Sequence, residues 1–193
     1  MSASLKRIFF PLFAAVVVIQ GFHVIEHIVQ LIQVYVFDVP DDDAFGLLGL
    51  VFHPNDTEEW LHLGFNSLYV VALYLLVLPL VALVGRGVPL WGFAVYALAG
   101  VGLETWHVIE HIVIISYVVE NQGCPCPGIG DRVLGVTDTQ LHFVYNAIAY
   151  AATVVGFRFA LNARPAPWED DDAPRAGPDT FARIPSGAPG GGT

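Results

Sequence analysis

The stretch His-Val-Ile-Glu-His-Ile-Val occupies residues 23–29 and recurs, letter for letter, at residues 107–113. Each copy lies inside a long apolar run, where ionisable side chains are rare and costly unless they are paired. On a helix, residues at i, i+3 and i+4 project from one face. Each copy therefore presents two imidazoles and a carboxylate together. The repetition of such costly groups predicts that they form a binding site for a ligand.

The apolar runs around both copies are long enough to cross a bilayer, because about 20 apolar residues suffice. The chain of 193 residues is 55% hydrophobic and only 13% charged, which is about half the charged fraction of a soluble domain. The first run follows two basic residues but is too long for a signal peptide and lacks a small-residue cleavage site. We therefore predict an all-α integral membrane protein with four transmembrane helices, over Ile8–Phe37, Trp60–Val84, Pro89–Val119 and Leu141–Leu161.

The distribution of positive charge predicts the orientation, because Lys and Arg are enriched on the cytoplasmic side of a membrane. Of the eight Lys and Arg residues, all but Arg132 lie near the termini or between the second and third runs. Both termini are thus predicted to be cytoplasmic, in a prokaryotic plasma membrane, with the long loops 38–59 and 120–140 outside. The lipid bilayer is the expected partner, with a homo-oligomer or a larger membrane complex as further expectations. The net charge of −10 gives no reason to expect nucleic-acid binding.

The repeat extends beyond the seven letters. The second run opens with Leu61-His62-x-x-Phe65-Asn66 and the fourth with Leu141-His142-x-x-Tyr145-Asn146, each after an Asp-Thr pair whose aspartate, Asp56 or Asp138, is expected to cap the helix. We interpret this as a tandem duplication of a two-helix unit, residues 1–85 and 86–162. A tail over 163–193, rich in Pro, Gly and acidic residues, is predicted to be disordered and cytoplasmic. Two spans per unit predict a pseudo-twofold axis along the membrane normal.

The repeated polar residues form the inventory of a dinuclear metal site near the outer face, of a kind that helical bundles carry. Helix positions place the two motif patches about two turns deeper than the other two histidines, a gap that longer helices or a re-entrant loop would close. Asn66 and Asn146 are candidates to hydrogen-bond the ligands. His53 and the Cys124-Pro-Cys126 segment are accessory candidates, the cysteines through a disulfide or soft-metal capture. The predicted ligands are His23, Glu26, His27, His62, His107, Glu110, His111 and His142.

Imidazole and carboxylate ligands suit iron, zinc, manganese or copper(II), and we favour two ions of iron or copper, with zinc as an alternative. The favoured function is a membrane oxidoreductase acting on an apolar or small substrate. One alternative is an intramembrane zinc hydrolase, because His-x-x-Glu-His is the inverted zincin order. Others are a haem-b electron carrier with His62 and His142 as axial ligands, and a metal-transport or accessory subunit of a larger complex. A hydrogen-bonded polar core and a proton relay are the interpretations without a metal.

Overall fold

The computed structural model describes residues 3–52, 57–121 and 129–163, whose regular elements are helices. A 3-10 turn, Asp41–Asp43, precedes the second helix, and a π-helical segment, Tyr96–Gly102, joins the fourth helix to the fifth without a break. The described residues belong to one compact unit that ends at Ala163. The helices are α1 (Ala3–Phe37), α2 (Gly46–Phe52), α3 (Thr57–Val81), α4 (Leu90–Val95), α5 (Leu103–Asn121), α6 (Ile129–Leu134) and α7 (Asp138–Asn162).

Four helical stretches are long and apolar enough to cross a membrane: Ile8–Phe37, Trp60–Val81, Leu90–Tyr117 and Asp138–Asn162. The third runs through α4, the π-helical segment and α5. This confirms the prediction of an all-helical chain with four membrane-spanning helices. The orientation of the termini, the type of organism and the boundaries of the two repeat units stay predictions.

The surface of the bundle is apolar and part of its interior is polar. Leu68, Leu78 and Leu98 are each at least 74% exposed, whereas Asn66, His107 and Glu104 are 0% exposed. Water would penalise such an apolar surface, but lipid solvates it. An apolar surface around a partly polar interior is the arrangement that a bundle inside a bilayer requires, because polar side chains there must face inward.

The buried face of α1 changes character along its length. Its buried positions recur every three or four residues, which is the spacing of one helix face. The first half of this face is apolar and the second half is polar, and the residues in order are Phe9, Phe13, Val16, Gln20, His23, Glu26, His27 and Gln30. The interior therefore has an apolar core at one end, which includes Leu73, Leu76 and Leu80 of α3, and a polar region at the other.

Close packing brings the spans together around both regions. α1 packs against α7, and α3 packs against α5. A Cβ added at Gly156 of α7 would lie 2.7 Å from the ring of Tyr96, so the glycine permits this close approach. Tyr96 is fully buried and donates to the Leu73 carbonyl at 2.7 Å, which ties the π-helical segment to α3.

The N-terminus of α7 differs from the prediction. Thr137, not Asp138, is the N-cap: its hydroxyl accepts from Gln140 N, and the Gln140 side chain accepts from Thr137 N. The prediction that Asp138 caps the helix is therefore wrong. The capping box pairs Ser or Thr with Glu or Gln three residues later, and the Thr-Asp-Thr-Gln sequence fits that pattern from Thr137. Asp56 and the predicted tail beyond Ala163 lie outside the described residues.

Candidate metal centre

Two triads of buried histidines lie in the polar region of the bundle. The first triad joins His23 and His27 of α1 to His62 of α3, and the second consists of His107, His111 and His142. The second triad takes two residues from α5 and one from α7. Within each triad, one ring nitrogen from every histidine lies within 4.8 Å of the other two. The structure thus brings together all six histidines of the repeated motifs.

The triads adjoin each other and form a single histidine cluster. The ring centroids of His27 and His142 are 5.8 Å apart, and those of His62 and His111 are 5.9 Å apart. Within the first triad, the ring centroids of His27 and His62 are 5.6 Å apart. The motif histidines and the other two histidines therefore meet, although helix positions predicted a gap of about two turns between them. Helix length closes it, because α1 continues well past His27 to Phe37 and α3 begins at Thr57, more than one turn before His62.

A hydrogen bond fixes the ring of His27 in the first triad. Its Nδ1 lies 2.7 Å from Gln30 Oε1. An amide oxygen only accepts, so Nδ1 carries the hydrogen and Nε2 keeps its lone pair. That Nε2 lies 3.3 Å from Nε2 of His23. An acceptor behind one ring nitrogen with a free lone pair on the other is the usual arrangement of a metal-binding histidine.

The second triad reaches the same result with a different acceptor. Nδ1 of His142 lies 2.9 Å from the Asp138 carbonyl and 3.1 Å from Asp138 Oδ2. Both oxygens accept, so Nε2 again keeps its lone pair. It lies 3.3 Å from Nε2 of His111. In both triads, therefore, Nδ1 of one histidine donates to a residue outside the cluster, which leaves Nε2 unprotonated, and that Nε2 faces the Nε2 of a neighbouring imidazole.

Asn146 connects the two triads. Its Nδ2 donates to the His142 carbonyl at 2.9 Å and lies 3.1 Å from His27 Nε2. Its Oδ1 accepts from Gln20 Nε2 at 2.8 Å. The amide hydrogen therefore occupies the lone pair of His27 that a metal ion would use. Asn66, its counterpart in the first copy, lies beside His23, and its buried amide atoms form no hydrogen bond with a described residue like those of Asn146.

The two motif glutamates bind the connecting segments that follow α1 and α5. Glu26 Oε1 accepts from Leu48 N at 2.7 Å, and Glu110 Oε1 accepts from Gly130 N at 2.6 Å. Each carboxylate thus holds the first turn of a short helix, α2 or α6, against the bundle. The triads consist of histidines alone, so metal ligation by the glutamates stays a prediction beside this anchoring role.

Three buried polar residues near the cluster were not predicted. Gln20 and Gln30 lie on the same face of α1 as the histidines, and Glu104 lies on α5, fully buried. Extending the comparison of the two copies by one turn would have found two of them, because Gln20 and Glu104 each stand three residues before the first histidine. The accessory candidates His53, Cys124 and Cys126 lie outside the described residues.

No protein-family model, no curated protein and no solved structure matches the chain. Its function is therefore inferred from the chemistry of the histidine cluster.

Proposed function

We propose that this chain is a membrane-embedded metal protein that binds two metal ions, one in each histidine triad. The observation that carries the proposal is the pair of matched triads: in each sequence copy, three histidines at equivalent positions bring ring nitrogens within 4.8 Å of one another. We further propose that the bundle arose by tandem duplication of the helix–loop–helix unit. Duplication alone would explain the matching positions but not the presence of six imidazoles in a lipid-embedded interior, where each polar group needs a partner.

The nitrogen separations support coordination. Ligand nitrogens about 2.1 Å from a tetrahedral ion stand about 3.4 Å from one another. The Nε2 atoms of His23 and His27 are 3.3 Å apart, as are those of His111 and His142. The third ring of each triad lies within 4.8 Å, so a shift of about one ångström or slightly more would complete three-nitrogen coordination. The remaining position would be open to water or substrate.

The ligand set limits the choice of ion. Imidazole suits zinc, copper, iron and nickel. Because Glu26 and Glu110 accept hydrogen bonds from backbone amides of α2 and α6, the ligand set is richer in nitrogen than the sequence suggested. Two iron or copper ions would supply one-electron and dioxygen chemistry. We propose such oxidoreductase chemistry on a small or apolar substrate, since the apolar surface gives lipid-dissolved molecules direct access to the bundle.

The packing of the cluster disfavours the haem alternative. His62 and His142 are 6.0 Å apart between centroids, but His27 packs on His62 at 5.6 Å and His111 packs on His142 at 4.9 Å. A porphyrin between the two proposed axial ligands would have to displace these rings. The hydrolase alternative needs a free carboxylate as general base, whereas Glu26 and Glu110 both accept hydrogen bonds from backbone amides of the short helices α2 and α6.

Metal content tests the proposal. The full chain would be purified in detergent, loaded separately with zinc, iron(II) and copper(II), desalted, and measured by elemental analysis. We expect one ion per triad, and the loss of one ion in His27→Gln and of the other in His142→Gln. Tyr74→Phe is the control, because it removes an exposed hydroxyl of α3 that bonds to Thr105 outside the cluster. A wild-type chain that retains none of the three metals would overturn the proposal.

The redox part of the proposal needs its own measurement. The iron- or copper-loaded chain should take up and release electrons reversibly in spectroelectrochemistry, with a signal that disappears in His27→Gln combined with His142→Gln. A chain that binds only zinc tightly, or whose bound iron and copper show no reversible couple, would leave a metal protein that is not an oxidoreductase.

A further inference from the structure

Three buried residues near the histidine cluster lack hydrogen-bond partners for all of their side-chain polar atoms. Both carboxylate oxygens of Glu104, both amide atoms of Asn66 and both ring nitrogens of His107 have no hydrogen-bond partner among the described residues. All three side chains are 0% exposed. A buried polar group left unsatisfied costs about 1–3 kcal/mol, and a charged group costs more. A metal ion in the second triad would bind one ring nitrogen of His107, but the polar atoms of Glu104 and Asn66 would still lack partners among the described residues.

Helix geometry places these groups together. Glu104 and His107 are one turn apart on α5, Asn66 and Tyr69 are one turn apart on α3, and the two helices pack against each other. Glu104 lies within Coulombic range of Tyr69. Because consecutive spans run in opposite directions, Asn66 then lies level with His107. We refer to the three buried side chains of Glu104, Asn66 and His107 together as the Glu104 pocket.

The equivalent position in the first copy is a neutral amide. Gln20 stands where the second copy has Glu104; its Nε2 donates to Asn146 Oδ1 at 2.8 Å, and its Oε1 has no partner among the described residues. Gln20 thus forms one side-chain hydrogen bond, whereas neither oxygen of Glu104 forms any with a described residue. The buried residues that the structure describes include no Lys or Arg that could pair with this carboxyl group.

We propose that the Glu104 pocket binds a divalent cation of the oxygen-preferring class, such as Mn²⁺ or Mg²⁺. The ligands would be the Glu104 carboxylate and the Asn66 amide oxygen, with water completing the shell as is usual for these ions. This site is distinct from the nitrogen-rich triads. It rests on the unpartnered oxygens and does not require that the triads hold metal.

Manganese is the probe, because free aqueous Mn²⁺ gives an electron paramagnetic resonance signal that falls on binding. The detergent-purified chain would first receive one zinc ion per triad and then be titrated with Mn²⁺. We expect one Mn²⁺ bound per chain. Glu104→Gln, which makes the second copy resemble the first, should weaken Mn²⁺ binding by about tenfold or more, since ligand charge sets affinity in oxygen-ligand sites. Its zinc content should not change, and Tyr74→Phe should match the wild type in both measurements.

The outcomes separate this inference from the proposed function. A wild-type chain that leaves the Mn²⁺ signal unchanged, or a Glu104→Gln chain that binds Mn²⁺ as tightly as the wild type, overturns the inference and leaves the zinc count intact. A chain that binds Mn²⁺ through Glu104 but takes up no zinc, iron or copper supports the inference and overturns the triads. If Glu104→Gln does not fold, Asn66→Asp decides, because a second carboxylate should tighten Mn²⁺ binding and unchanged or weaker binding overturns the site.

Discussion

The two equivalent asparagines should respond in opposite ways to the same substitution. Asn146→Leu removes the acceptor of Gln20 Nε2 and the donor to His27 Nε2, whereas Asn66→Leu removes two amide atoms without hydrogen-bond partners. Gln20 Nε2, buried and left unsatisfied, costs about 1–3 kcal/mol, and the lost bond to His27 Nε2, which keeps its contact with His23 Nε2, adds to this cost. Interhelical hydrogen bonds in membrane bundles average only about 0.6 kcal/mol, so the lower end applies. We expect Asn146→Leu to destabilise the metal-free chain by about 2 kcal/mol.

Asn66→Leu is the matched control, with the same change of side chain at the equivalent position of the other copy. It should leave stability unchanged or raise it, because replacing unsatisfied polar atoms by an apolar group removes a desolvation cost. Reversible unfolding by denaturing detergent, followed by far-UV circular dichroism after chelator treatment, measures both variants. An Asn66→Leu chain destabilised as much as Asn146→Leu would refute the assignment of hydrogen bonds around the cluster.

The same hydrogen bonds carry a consequence for metal affinity. Asn146 Nδ2 lies 3.1 Å from His27 Nε2, so a metal ion bound at that nitrogen must displace the amide. The displaced bond is worth about 1 kcal/mol. We therefore expect Asn146→Leu to bind zinc in the first triad about fivefold more tightly than the wild type, despite its lower stability. Chelator competition checks this, and weaker binding by Asn146→Leu would show that the asparagine assists coordination.

Three further predictions concern the groups around the cluster. Gln30→Leu removes the acceptor behind His27 Nδ1 and should weaken zinc binding in the first triad by about tenfold or more, with the second triad unchanged in the same competition assay. Glu26→Leu removes the acceptor of Leu48 N and should speed amide hydrogen exchange in α2 without changing the zinc count; a lost zinc ion would instead identify Glu26 as a ligand. Phe13→Ala, in the apolar core, should cost about 3–5 kcal/mol of stability and leave zinc affinity unchanged, and a coupled loss of affinity would contradict the separation of the two regions.

The sequence was sufficient to predict the four spans, because lipid constrains length and hydropathy more strongly than any partner contact does. It also predicted which histidines converge, since His23 and His27 share a helix face by spacing alone. The partner of each polar group was not predictable in this way. Glu26 has the spacing of a ligand, yet it accepts from Leu48 N. That contact depends on how the segment that follows α1 packs against the bundle. Glu104 was not predicted because it lies outside the stretch that is identical in the two copies: the second copy has a carboxyl group where the first has the amide of Gln20.

The division of the bundle explains how the histidine cluster can exist at all. The apolar core around Phe13 and Leu76 packs the helices together at the opposite end from the six buried imidazoles. The helices α1, α3 and α7 are continuous between the two regions, and so is the third span, from α4 through the π-helical segment to α5. Positions fixed in the core therefore also fix the ring nitrogens in the cluster. The core therefore preorganises the polar region, so that coordination requires only small shifts of rings already in place.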